Sequence, residues 1–372
     1  MHERPLRRGW TTSTCAAAAA KAAYTALVTG EFPDPVEVTL PRGERPAFAL
    51  ATTRKADDCA TAGIVKDAGD DPDVTHGALI LATVRHAAPG SGVVFRAGEG
   101  VGTATRPGLP IAPGEPAINP VPRRMIRAAV AEVAAAAKCA GDVEVEIAIP
   151  GGEALAAKTL NPRLGIVGGL SILGTTGVVV PYSCSAWIYG IRQGIDVARA
   201  AGMTHVAGAT GATSETAVRK LHDLPEIALI DMGDFVGGML RYIRAHPVPR
   251  VTIAGGVAKI TKLAQGLLDL HSKRGAVDLA ALARFAEEAG GSDALRARII
   301  AANTTAEAFS HAEAEGIGLG DVVARAAQET AAQVVEGRNI AIEVAVFDRD
   351  GRLVGRADFA SAQAAPPRNR RR

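Results

Sequence analysis

From His205 to Lys259 the chain reads HVAGATGATSETAVRKLHDLPEIALIDMGDFVGGMLRYIRAHPVPRVTIAGGVAK, and this stretch decides the class of the second half. Three short apolar runs, His205 to Ala207, Ile227 to Ile230 and Val251 to Ala254, each precede a loop and a stretch of helical character. Strands joined through a helix run parallel, because no tight turn brings the chain back to the same end of a sheet. The spacing therefore predicts a largely parallel sheet flanked by helices. Its loops, Gly208 to Thr213, Asp231 to Asp234 and Gly255 to Lys259, fall at the carboxyl edge, where such folds bind ligands. Further on, helical segments fill the span from Asp278 to Val335. Ile340 to Phe347 and Arg352 to Ala357 then flank Asp348, Arg349, Asp350 and Gly351, which predicts a terminal β-hairpin.

Towards the amino terminus the pattern changes to α+β. Thr12 or Ser13 can cap a helix that runs through the alanines from Ala16 to Val28 and ends at Gly30. Strand-like segments follow at Val36 to Leu40, Ala47 to Thr53, Ala78 to Arg85 and Val93 to Arg96. Pro122 opens a helix through Met125 and Val133, closed by Gly141, before a strand from Val143 to Ile149. The expected architecture is an α+β domain over 1–160, an α/β domain over 161–360 and a disordered basic tail over 361–372. Pro366 and Pro367 precede Arg368, Arg370, Arg371 and Arg372 in that tail.

With 372 residues, 48% of them hydrophobic, the chain exceeds the size at which a single core keeps growing. A formal net charge of +2 provides no broad field for nucleic acid or a membrane surface. Cys15, Cys59, Cys139 and Cys184 stand far apart with no CxxC pair, against a zinc site or a redox dithiol and in favour of a reducing, cytoplasmic setting. The opening residues are polar and basic, and the apolar run from Cys15 to Val28 is interrupted by Lys21, so neither a secretion signal nor a membrane span is expected. The sequence has no GxxxxGK phosphate loop, Ser/His/Asp order or metalloprotease helix, which argues against kinase, ATPase and hydrolase readings.

Four segments could carry chemistry. Lys66 to Gly77 reads KDAGDDPDVTHG and crowds four aspartates with Lys66 and His76; like charges this close need an offsetting cation or ligand, unless the aspartates serve as turn acceptors. Gly98 to Met125 reads GEGVGTATRPGLPIAPGEPAINPVPRRM, where prolines fix and glycines thin the backbone. It forms either a rigid wall against a large ligand, with Glu99, Arg106, Asn119, Arg123 and Arg124 on it, or a surface crossing. Lys158 to Gly177 reads KTLNPRLGIVGGLSILGTTG; Gly168, Gly169, Gly174 and Gly177 with Thr175 and Thr176 suit either an adenosyl cofactor or a tight interdomain crossover. Lys259, Lys262, His271, Ser272, Lys273 and Arg274 place cations where an acidic substrate could dock, or form solvated helix ends.

Taken in order, these motifs resemble the CbiD family of C1-methyltransferases of cobalamin biosynthesis. The resemblance starts at Leu6 to Ala20, LRRGWTTSTCAAAAA, and runs through the three long motifs; Phe235 to Gly237, Lys262 to Ala264, His271 to Lys273 and Ala302 to Thr305 also fit. Val180 to Glu215 departs from the commoner pattern. The resemblance implies transfer of a methyl group from S-adenosylmethionine to ring carbon C1 of cobalt-precorrin-5B, giving cobalt-precorrin-6A. Cobalt would be carried by the substrate, with no metal bound by the protein. It further implies catalytic roles for Lys66, Asp70, Asp71 and His76. Donor binding would fall to Gly168, Gly169, Gly174, Thr175, Thr176 and Gly177, and substrate binding to Glu99, Arg106, Asn119, Arg123, His271 and Lys273. A sulfonium methyl is already electrophilic, so such an enzyme needs alignment and water exclusion without a covalent nucleophile. The expected partners are the cobalt-corrinoid, neighbouring pathway enzymes and further copies of the chain. A non-catalytic corrinoid carrier or pathway scaffold is the alternative.

Overall fold

The computed structural model describes residues 5–361, so most of the expected basic tail lies outside the described residues. The chain divides into two compact units, one ending at Cys184 and the next beginning at Ser185. Among the described residues no helix is long and apolar enough to cross a membrane.

The first unit is built on a five-stranded sheet of β1 (Thr52–Lys55), β2 (Cys59–Val65), β3 (Leu79–His86), β4 (Val93–Ala97) and β5 (Val143–Ala148), in the order β1-β2-β3-β5-β4. Every neighbouring pair is antiparallel except β4 with β5. Buried and partly exposed residues alternate along β3 and β5, as a sheet with one covered face requires. The cover is α1 (Thr12–Thr29) and α2 (Pro120–Ala137), which pack together. The α1 sequence is apolar all round, and thirteen of its residues are buried, so the helix lies inside the unit rather than on it. Its alanines let the backbone approach β2 and β3 closely.

The α1 cap is Thr11, one residue before the expected Thr12 and two before Ser13, and Gly30 ends the helix at φ 91° as expected. Helix α2 starts at Pro120 with Asn119 as its cap residue, two residues before Pro122, and ends at Lys138 (φ 56°) rather than Gly141. Strand β2 was not evident in the sequence: Ala60, Ala62 and Gly63 within CATAGIV carry little strand propensity, and pairing with β1 and β3 makes it a strand.

The boundary between units falls at 184, not near 160. Ile166–Val167 pairs with Thr103–Ala104, and Val178–Val179 pairs with Gly9–Trp10. The glycine-rich segment is thus woven back into the first unit.

Helix α3 (Cys184–Ala200) starts at the last residue of the first unit and opens the second, which then alternates β6 (His205–Ala209), α4 (Ala212–His222), β7 (Leu229–Asp231), α5 (Val236–Ala245), β8 (Arg250–Gly256) and α6 (Val257–Ala264). Four helices follow, α7 (Leu279–Glu288), α8 (Asp293–Ala301), α9 (Thr305–Ala314) and α10 (Leu319–Val334), before the hairpin of β9 (Ala341–Phe347) and β10 (Leu353–Ser361). The sheet order is β7-β6-β8-β9-β10; the first four strands are parallel, and only β10 is antiparallel. The α+β and α/β classes expected for the two halves, with a largely parallel second sheet, are those observed.

Ala207, Ala254 and Ala345 face α4 with Val218. Val251, Ile253 and Val344 face the opposite way, with Met239, Leu240, Ile260 and Leu263 of α5 and α6. Helices α4 and α6 therefore cover opposite faces of the sheet, although each follows a strand adjacent to the other's.

Candidate active site

Three of the quoted motifs converge at the amino end of α1. Gly9 lies so close to the acidic loop that a Cβ there would stand 2.0 Å from the Ala68 carbonyl carbon, and Gly69 (φ 69°) approaches the Arg7 carbonyl equally closely. The Trp10 amide donates to the Asp67 carbonyl at 2.7 Å. On the other side the Gly177 carbonyl accepts the Thr11 amide at 3.0 Å and the Thr14 hydroxyl at 2.7 Å. Thr11 also shares a hydrogen bond with Ser13 at 2.7 Å, so the first turn of α1 carries a buried hydroxyl cluster. Beneath it, burial pushes the Cys15 thiol up to about 12, against the pull of the Lys66 charge. A thiol so placed is an inert packing group.

The four residues with expected catalytic roles sit differently within the acidic loop. Lys66 is 1% exposed and donates to the Asp73 carboxylate and to the Thr75 hydroxyl, the latter at 2.6 Å. Burial acts to raise the Asp73 pKa, but the Lys66 charge and the hydrogen bonds from Lys66 and Thr75 hold it below the usual carboxylate range. Asp70 accepts the Arg7 amide at 2.6 Å, and Asp71 accepts the Tyr182 amide at 2.8 Å, holding Tyr182 at φ 56°. His76 is half exposed; its Nδ1 accepts the Ala68 amide at 3.1 Å, which leaves Nε2 as the ring's open position. Asp67, singled out by no sequence signal beyond the crowding itself, is gripped by the Arg7 guanidinium and the Gly69 amide, which bring it down to about 2.

The glycine loop is occupied by the chain itself. Gly169 backs onto Gly100, where a Cβ would meet the carbonyl oxygen at 2.2 Å; Gly174 abuts Thr11 and Ser13, and Gly177 abuts Leu40 and Thr14. Thr176 bonds to the Val178 backbone, while Gly168 and Thr175 are exposed. The Gly/Pro-rich segment supplies an exposed Glu99, and an exposed Arg106 whose guanidinium donates to the Arg163 carbonyl at 3.1 Å. Buried Asn119 caps α2 without a side-chain hydrogen bond. Arg123 donates to the Ile118 carbonyl at 2.8 Å, the Pro116 carbonyl at 3.2 Å and Glu115 at 2.9 Å, over the Phe95 ring, so it ties its own segment together.

His271 and Lys273 belong to the second unit and are exposed in a short 3-10 turn, with the Lys273 amide donated to His271 Nδ1. Lys262 is buried, its Nζ on the Leu270 carbonyl at 3.0 Å, so it is no solvated helix end. The same unit holds a cavity of about 1180 Å³ at the carboxyl ends of β6, β8 and β9, bordered by Gly211, Thr213, Gly256, Lys259, Thr304 and Asp350.

Towards the amino ends of the same strands lies a buried network with no antecedent in the sequence pattern. Glu343 Oε2 accepts from the Thr252 hydroxyl at 2.6 Å and stands 2.5 Å from His222 Nε2; Oε1 accepts from Arg356 at 2.6 and 2.8 Å. His205 Nε2 shares a hydrogen bond with Thr252 at 2.8 Å. Burial first, then the His222 and Arg250 charges, lower His205 to about 4. His205, His222 and Glu343 have the spacing of metal ligands, but Arg356 already supplies the cation to this carboxylate.

A family profile described as CbiD matches residues 1–181, and one described as CbiD, C-terminal domain, matches residues 269–358. The chain is 65% identical to the cobalt-precorrin-5B C(1)-methyltransferase of Agrobacterium fabrum over 99% of this chain and 98% of that protein. It is 63% identical to the protein of the same name from Halorhodospira halophila, over 95% of each. A crystal structure of a cobalamin biosynthesis protein (cbiD) from Archaeoglobus fulgidus shares 25% identity, with a TM-score of 0.39, over 84% of this chain and 85% of that one. The convergence of the motifs on α1 and the near full-length identity to these relatives have one conclusion: this chain belongs to the CbiD family.

Proposed function

We propose that the chain methylates ring carbon C1 of cobalt-precorrin-5B, using S-adenosylmethionine and giving cobalt-precorrin-6A in cobalamin biosynthesis. The observation that carries this reading is identity of 65% over nearly the whole length to a relative that bears that name. The donor supplies an electrophilic methyl group: its S–CH3 bond breaks as the bond to the ring carbon forms, and the sulfur leaves as a neutral thioether. No residue has to become covalently bound, which fits a site built of ion pairs, hydroxyls and close-packed backbone.

In this reading the acidic loop is the working surface. His76 Nε2, which carries the ring N–H because Nδ1 accepts the Ala68 amide, donates a hydrogen bond at the macrocycle, with Asp70 and Asp71 fixing the loop against Arg7 and Tyr182. Lys66 holds the loop from beneath through Asp73 and Thr75. In the first unit, rim carboxylates of the substrate pair with Arg106 and with Arg123 through its remaining N–H groups, while Glu99 and Asn119 supply polar contacts; His271 and Lys273 are the second unit's candidates for carboxylate binding. Cobalt arrives with the substrate. Four unpaired cysteines suit a cytoplasmic setting, in which neighbouring pathway enzymes hand over the corrinoid.

The test is mass spectrometry of a reconstituted cobalt-precorrin mixture with isotopically labelled S-adenosylmethionine. Label on the corrinoid only when the protein is present, placed at C1 by NMR, is the expected result. Bound but unlabelled corrinoid would make the chain a carrier.

A further inference from the structure

The strand order β7-β6-β8-β9 reverses direction of growth after β7: the chain leaves β6 to one side, then crosses back over it to β8. At such a switch point the helices that follow two adjacent strands cover opposite faces, and a crevice opens between their amino ends. Here those helices are α4 and α6, and the cavity of about 1180 Å³ lies at this place.

Two glycines on its wall have no structural reason to be glycine. Gly211 and Gly256, the cap residues of α4 and α6, have φ of 165° and −70°, conformations open to any residue. A Cβ built on either meets no protein atom within 4 Å. Gly169, Gly174 and Gly177 of the 168–177 loop contrast with them, each facing a backbone or side chain within 3 Å, while Gly168 has open space but a left-handed φ of 86° that itself favours glycine. Space is thus kept open at Gly211 and Gly256. Neither α4 nor α6 has a side-chain cap, so the first amides of these helices, whose opening residues border the cavity, have no partner from the cap residue.

The charges select the ligand. Lys259, Arg349, Arg352 and Arg356 face Glu307, Glu313, Asp321, Asp348 and Asp350. Lys259 is held by Asp234, Arg352 by Glu313 and Asp348, and Arg356 by Glu343. No surplus of positive charge is left for phosphates or for a macrocycle ringed with carboxylates. A ligand with one carboxylate for the helix amides, a cationic centre for the aspartates and a sugar for the hydroxyls fits this surface.

We propose that the adenosyl sulfonium donor binds in this crevice, its carboxylate at the amino end of α4 and its bulk against Gly211 and Gly256. The assignment rests on the methyltransferase reading and replaces the 168–177 loop as the donor site. Equilibrium dialysis with labelled S-adenosylmethionine, on wild type and on Gly211→Leu, Gly256→Leu and the milder Gly211→Ala and Gly256→Ala, tests it, with circular dichroism as the folding control. Donor affinity should fall roughly tenfold or more in the Leu variants and less in the Ala variants. Affinity for a stable cobalt-corrinoid polycarboxylate, read from its visible spectrum, should be unchanged. Folded variants that bind the donor as wild type does, or lose the corrinoid instead, overturn the crevice assignment alone. A wild type without donor affinity overturns the methyltransferase reading itself.

Discussion

Lys66 and Asp73 form an ion pair at the root of the acidic loop, with the lysine side chain 1% exposed and the aspartate 27%. Removing one partner strands the other in a poorly solvated place. Lys66→Ala should cost about 3 kcal/mol of stability, and the Lys66→Ala/Asp73→Ala pair less than the sum of the single changes. Urea denaturation of the four proteins measures the coupling; additive losses would show that the pair does not hold the loop.

His76 contributes little to the fold, being half exposed with one backbone contact. His76→Ala should change stability by no more than about 0.5 kcal/mol, yet slow methyl transfer more than it weakens donor binding. Turnover equal to wild type would remove His76 from the mechanism.

Arg123 and Arg106 should separate cleanly. Arg123→Ala leaves the Ile118 carbonyl without its side-chain donor and the Pro116 carbonyl with the Ile118 amide alone, and should destabilise the protein by about 1–3 kcal/mol. Arg106→Ala, at an exposed site, should leave the melting temperature nearly unchanged while raising KM for the corrinoid. Thermal melts paired with steady-state kinetics read both.

Gly9→Ala drives a methyl group into the backbone of Ala68. Overpacking of this kind costs about 1–3 kcal/mol. The segment around Arg7 and Arg8 should lift off the acidic loop, so trypsin should cut there faster than in wild type; an unchanged digestion rate would show that the loop can yield.

The His205 network sets a pH dependence. A folded pKa near 4, against an ordinary 6.5, means that between these values the unfolded chain binds the extra proton. Stability should therefore be fully present above about pH 6.5 and fall as pH drops towards 4, by up to roughly 3 kcal/mol. Asp67, lowered to about 2, acts later, its contribution being lost as pH falls from the ordinary 3.8 through 2. Denaturant melts from pH 7 to pH 3 on wild type and His205→Asn would show whether the first phase belongs to His205.

The parallel sheet and its closing hairpin were legible because β6, β8 and β9 are buried on both faces and read as short apolar runs. Strand β2 was not, since Ala60, Ala62 and Gly63 take their conformation from neighbours rather than from propensity. The acidic loop stood out by charge, yet the division of labour within it did not: only the fold shows that Lys66 points inward and His76 outward. The Glu343 network was invisible because its members lie on β6, α4, β8, β9 and β10, far apart in the chain. Gly211 and Gly256 were visible as loop glycines, but only the space around them separates them from the packed Gly169 and Gly177.

The pairing of Gly9–Trp10 with Val178–Val179 bears on how the protein is made. Trp10 is made well before Val178 and must wait for it, which at about 5–20 residues per second is a delay of roughly 10–30 s. Until then the alanine helix beside it has no lid over its first turn, and the nascent chain exposes its most apolar segment to whatever the cell holds nearby.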